Sequence, residues 1–103
     1  MSLSDISPEM EEVETYFSTS IKKQQEVVAE TPTAKKHNDL LDKQLAQLEK
    51  DYERLRLELT NHPGDERIIR YMVENYRLRL LLLETHLDKI KAAEQPTRLV
   101  DKS

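Results

Sequence analysis

Histidine is the side chain whose charge changes near neutral pH, and the chain carries three of them, His37, His62 and His86. A metal site needs imidazole, thiolate or carboxylate ligands that converge on one point. In an antiparallel helix pair His37 and His86 would share one end, so a site of His37, His86 and Asp88 is conceivable; solvated side chains are the simpler reading. The HExxH pattern is absent. A di-iron bundle wants glutamate three residues before a histidine, and those positions hold Ala34, Leu59 and Leu83. Without cysteine there is no thiolate ligand and no disulfide. Ser18, Thr19 and Ser20 are adjacent hydroxyls with no His or Lys base set against them and no glycine-rich turn for an oxyanion hole. Glu11 and Glu12 suit the positive end of a helix dipole. Gly64 is the single glycine, too few for a phosphate loop. The residues point to a chain without catalytic, cofactor or metal chemistry.

The most informative polar group lies elsewhere. Asn75, Tyr76 and Arg79 follow Met72 by three, four and seven residues, so the four share one helical stripe. Asn and Arg on an otherwise apolar stripe would each cost about 1–3 kcal/mol or more if buried without partners. One reading is an interhelical clasp that fixes register, as a polar seam residue can. The partners would be Glu14 or Ser18 from a first helix and Asp51 from a second. The other reading is a contact with a partner or ligand.

The stripe belongs to the stretch Ile68 to Ile90, the most apolar part of the chain. Ile69, Val73, Tyr76, Leu80, Leu83, Leu87 and Ile90 recur at spacings of three and four. Ile68, Met72, Leu78, Leu81 and Leu82 widen the apolar surface beyond one face. A helix apolar on two sides packs against two partners, so at least two more helices are required. The first is expected over 8–30, with Ser7 as cap and Pro8 in its first turn. Its seam of Met10, Val13, Phe17, Ser20, Gln24 and Val27, with Ile21 and Val28 beside it, weakens after Ile21, so its end should be the looser part. Thr31-Pro32-Thr33 stops it. The second is expected over 34–61, capped by Thr33, with Leu41, Leu45, Leu48, Tyr52, Leu55 and Leu59 as its seam and Asn38 extending it backwards. Asn61 to Asp65 is a turn, and the third helix spans about 66–92. The short connections predict an all-α, antiparallel, up-down-up three-helix coiled-coil bundle; a helical hairpin that dimerises is the alternative. Residues 1–6 read as a polar lead-in or tag, 7–93 as the bundle and 94–103 as a flexible tail. Leu78, Leu81 and Leu82 are either covered by the first helix or left as an oligomer patch.

Composition narrows the partners. Charged residues make up 35% of the chain, with a net charge of -4 and the two signs interleaved, so there is no basic field for nucleic acid. The longest aliphatic run is Leu80–Leu83, far short of the roughly 20 residues of a membrane span. No basic start followed by an apolar core marks a signal peptide.

SPEMEEVETYFSTSI, then LEKDYERLRLEL, then DERII and YMVENYRLRLLLLETHLDKIK resemble a family of Bacteroidetes-type membrane-anchored, anti-sigma-factor-like proteins. The resemblance covers about Ile6 to Lys91. The family's M-x-x-N-[YF]-x-x-R pattern falls on Met72, Asn75, Tyr76 and Arg79, and its E-x-x-x-[YF]-[YF] pattern on Glu12, Tyr16 and Phe17. It implies a helical domain on the periplasmic face of the inner membrane, carried by one transmembrane helix that is not in this chain. A sigma factor would be bound only through a cytoplasmic amino-terminal segment, also not in this chain. The implied function is a non-enzymatic sensory or protein-interaction domain with an unidentified protein partner. Leu81, polar in the family, lengthens the leucine run and favours self-association. The alternatives are a cytoplasmic coiled-coil adaptor that forms a homodimer through the third helix, and a small-ligand carrier with a pocket between helices.

Overall fold

Ser7 and Pro8 start the first helix. The Ser7 hydroxyl accepts the Met10 amide N–H at 3.2 Å, Pro8 takes the first position, and α1 runs Pro8–Glu30. Thr31, held extended before Pro32, ends it. The computed structural model describes residues 1–93 and is all-helical over them, with no strand. After α1 come α2, Pro32–Lys36, α3, Asp39–Asn61, and α4, Glu66–Ala93. The expected tail, 94–103, lies outside the described residues.

The second helix departs from expectation. It does not run unbroken over 34–61, because His37 and Asn38 leave helical geometry and divide it into α2 and α3. Residues 35–39, KKHND, carry no apolar period to hold a continuous helix, and Asn and Asp favour turns and helix starts. Asn38 therefore flanks α3 rather than extending its seam. Thr31, not Thr33, precedes α2, and its hydroxyl donates back to the Val27 carbonyl at 2.7 Å. The break lets α2 lie against both α1 and α4 with Ala34 fully buried. That reverses a second expectation. The buried positions of α1 are Ile21 and Val28, while Met10 and Phe17 are only half-buried; α2 adds to the contact that α4 makes with α1.

Residues 1–6 are also more than a lead-in. Leu3–Asp5 form a 3-10 turn in which the Ser2 amide donates to the Asp5 carboxylate at 2.9 Å. Leu3 is fully buried and the turn packs on α1. A lone leucine carries no period, so the pattern could not reveal it.

Between α3 and α4 the chain reverses over His62–Asp65. Gly64 has φ of 80°, a conformation glycine adopts without steric cost. The Asp65 carboxylate accepts the Arg67 amide at 2.9 Å and so begins α4. Helix α4 then packs against both α1 and α3. It buries Ile68, Met72, Asn75, Tyr76, Arg79, Leu80, Leu83 and Leu87, and α3 brings Leu41, Leu45, Tyr52 and Leu59 to the same core. The polar stripe of α4 thus lies inside the molecule.

Candidate functional site

Three helices each contribute to one polar layer. From α1, the Glu14 carboxylate accepts the Tyr52 hydroxyl of α3 at 2.7 Å and the Tyr76 hydroxyl of α4 at 3.1 Å, both on Oε2. One oxygen therefore ties α1 to both neighbours. Asn75 donates through Nδ2 to the Leu48 carbonyl of α3 at 2.8 Å. Aromatic packing completes the layer. Phe17 stacks on Tyr76 with ring centroids 6.1 Å apart, and Tyr76 lies 4.8 Å from Tyr52. The Arg79 guanidinium carbon sits 4.4 Å from the Tyr76 ring centroid and 5.3 Å from that of Tyr52, a cation–π arrangement with both rings.

Titration follows from these contacts. Burial pushes the Glu14 carboxyl up, but donors around it, Tyr52 first, then Ser4 and Tyr76, outweigh burial and hold it below its ordinary 4.5. Burial raises both Tyr52 and Tyr76, with the nearby Glu14 charge adding to each. All three groups keep their hydrogen-bonding protonation states at neutral pH.

Arg79 stands apart. It is only 9% exposed, yet its Nε and Nη2 have no hydrogen-bond partner among the described residues. The Asn75 Oδ1 is equally unpartnered. The guanidinium lines an open cleft of about 600 Å³ together with Ser2, Glu14, Glu49, Tyr52 and Tyr76. The Arg56 Nε is likewise unpartnered, so the free donors of the cleft are guanidinium nitrogens. Both phenol protons go to Glu14, the Ser18 hydroxyl donates to the Thr15 carbonyl, and Arg56 is paired with Glu53. Glu14, Glu49 and Glu53 outnumber Arg56 and Arg79 there, so the field opposes an anion. Nothing in it pairs a nucleophile with a base.

The residues singled out by sequence divide accordingly. Met72, Asn75, Tyr76, Arg79 and Glu14 come together. Asp51 does not: half-buried, it bonds within α3, accepting from Arg54 at 2.7 Å and Gln47 at 3.1 Å. The Ser18 hydroxyl bonds the Thr15 carbonyl rather than Asn75 or Arg79. The structure adds Tyr52 and the Leu48 carbonyl as partners and brings Phe17, already on the family pattern, onto the Tyr76 ring. The sequence carries a signal for Tyr52, because a phenol on a buried seam needs an acceptor. Of the leucines, Leu78 is 45% and Leu81 is 54% exposed. Leu82 does not share their surface; it is half-buried against the core, because it points toward the α2–α3 junction beside His37 and Leu41. The His86 Nε2 donates to the Ala34 carbonyl at 2.9 Å, which ties α4 to α2. No group of three His, Asp or Glu side chains suited to a metal occurs among the described residues.

No protein family, curated protein or solved structure matches the chain.

Proposed function

We propose that this chain is a non-enzymatic protein-interaction domain, an antiparallel up-down-up three-helix coiled-coil bundle whose outer α4 face docks a partner. Support for the topology comes from two contacts. Asn75 meets Leu48 and His86 meets Ala34, so positions advance along α4 as they recede toward α2. The observation that carries the docking reading is the contrast between the two sides of α4. The polar groups on its inner side turn toward α1 and α3, whereas Tyr71, Leu78 and Leu81 stand in solvent on the outer side. The photo-crosslinking test is direct. A photoreactive residue at Leu81 in cells expressing the protein should give a protein adduct, and its absence would remove the docking reading.

The resemblance extends this proposal to location. It supports a domain on the periplasmic face of the inner membrane, part of a single-pass anti-sigma-factor-like regulator that relays a binding event through its anchor. No helix among the described residues is long and apolar enough to cross a membrane; the proposal assigns the anchor to another segment. Immunoblotting of fractionated cells tests it. A membrane-bound band larger than 12.1 kDa, trimmed by protease added to spheroplasts, is expected. A soluble band of 12.1 kDa would instead favour a cytoplasmic adaptor, a reading the exposed leucines of α4 also suit.

A further inference from the structure

The outer side of α4 has a pattern of its own. Tyr71, Glu74, Leu78, Leu81, Thr85 and Asp88 follow one another at spacings of three and four, and all are exposed. This is a second heptad seam, facing away from the core. Along one flank run Arg70, Arg77 and Glu84, seven residues apart. Arg77 bonds Glu74 at 3.0 Å. Arg70, Glu84 and Asp88 make no ion pair among the described residues. The flank is thus basic at Arg70 and Arg77, acidic at Glu84 with Asp88 beside it on the seam, and basic again at Lys91.

We propose that this seam receives a second copy of the chain, with the two α4 helices antiparallel and Leu78 packed on the partner's Leu81. The inference rests on the reading of this face as a docking surface and names its occupant. A two-fold axis between Leu78 and Leu81 makes the surface self-complementary. Leu78 meets the partner's Leu81 twice, and Glu74 falls opposite the partner's Thr85. Tyr71 falls opposite the partner's Asp88, whose carboxylate can accept the phenol proton. On the flank, Arg77 approaches the partner's Glu84 and Arg70 the partner's Asp88, each pair occurring twice by symmetry. One kind of unfavourable approach remains, Arg70 with the partner's Lys91, which also occurs twice by symmetry, once at each exposed outer end, where salt screens it. The parallel arrangement is worse: it sets Glu74 against the partner's Glu74 and Asp88 against the partner's Asp88 inside the seam, which is destabilising. Two leucines and a tyrosine are a small apolar patch beside the roughly 800 Å² per partner of a stable interface. The dimer is therefore reversible and dissociates on dilution.

The chain has no cysteine, so single introduced thiols report the register cleanly. Glu74→Cys and Thr85→Cys lie on exposed positions and leave both leucines in place. Mixing the two variants under mild oxidation should give a disulfide-linked heterodimer, whereas Glu74→Cys alone should stay monomeric on a non-reducing gel. Sedimentation equilibrium of the unmodified chain should show a concentration-dependent dimer. Glu84→Arg should weaken it about tenfold, and adding Arg77→Glu to the same chain should restore it. A Glu74→Cys homodimer, or a chain monomeric at every concentration with no heterodimer, would overturn the proposal. If that happens while a Leu81 photo-adduct with a different protein is found, self-pairing fails and the docking reading stands. If no adduct of any kind forms, both fail.

Discussion

Two stretches of the bundle hold their helices together by different means. Around Val28, Ala34, Leu41, Leu45, Leu83 and Leu87 the contact is apolar, with the His86–Ala34 hydrogen bond at its edge. Around Glu14, Tyr52, Asn75, Tyr76 and Arg79 it is directional, built from hydroxyls, an amide and packed rings. Apolar burial is non-directional and scales with area, so the first stretch contributes stability but tolerates sliding. Hydrogen bonds between named atoms do not tolerate sliding, so the second stretch fixes how α1 and α3 are set on α4. The division predicts a graded series of mutational costs.

The largest cost falls in the apolar stretch. Leu83 is 1% exposed, and Leu83→Ala should destabilise by roughly 2–5 kcal/mol, the transfer term plus the cavity left behind. Thermal or urea melts measure this. A loss smaller than that of Tyr52→Phe would break the comparison, because the polar layer would then be the main source of stability.

Tyr52→Phe comes next. It removes the 2.7 Å donor to Glu14, and a hydrogen bond to a charged group contributes about 1.5–3 kcal/mol. The same variant has a signature in pH. Glu14 is held below its ordinary 4.5 in the folded state, so the unfolded chain binds its proton more readily. The stability this supplies is full above the unfolded value and is lost as pH falls through the folded one. Urea melts of the wild type should therefore lose stability on acidification below about 4.5, and in Tyr52→Phe that acid limb should be shallower. Leu83→Ala should lower the whole profile without changing its slope, which separates the two stretches by shape as well as by size.

How far the sequence reached follows the same division. Periodic elements with marked ends were legible: Ser7-Pro8 and Thr31-Pro32 bracket α1, and the seam from Leu41 to Leu59 lies along α3. Features carried by single residues were not. Leu3 has no periodic companion strong enough to mark it, and the break at His37–Asn38 falls where no apolar residue reports on direction. In the polar layer, spacing put Met72, Asn75, Tyr76 and Arg79 on one stripe because that depends on α4 alone. What they touch depends on how α1 and α3 are rotated about their own axes, which no single helix encodes. Hence Asp51, a candidate clasp partner by sequence, bonds only within α3, while Tyr52, its neighbour in sequence, points in.

The hydrogen bond from His86 to the Ala34 carbonyl is a smaller directional contact inside the apolar stretch. His86→Ala should cost about 0.5–1.5 kcal/mol. Amide hydrogen exchange should speed up most in α2, since a five-residue helix has little of its own to hold it in place. Equal acceleration throughout α3 would mean that α2 and α3 open as one unit.

The smallest change is expected where the sequence suggested a large one. Arg79 ends the stripe, and the sequence predicts that partners hold it. Its Nε and Nη2 have none among the described residues, and its guanidinium rests on the Tyr52 and Tyr76 rings. Two effects oppose each other in Arg79→Met. The variant loses a cation–π contact of about 0.5–2 kcal/mol. It also removes a charge whose burial costs free energy and puts in its place an apolar chain that fills the same groove. The two are of similar size, so the melt should move by no more than about 1 kcal/mol, or roughly 4–8 °C for a domain of this length. A loss approaching that of Leu83→Ala would mean that Arg79 is paired in solution. The polar layer would then contain an ion pair, with Glu14 or Glu49 as its carboxylate, and the contrast between the two stretches would be one of buried charge as well as of direction. Arg79→Lys separates these cases: it keeps the charge and loses the planar stacking, so it should be worse than Met if stacking is all that holds Arg79, and better than Met if an ion pair does.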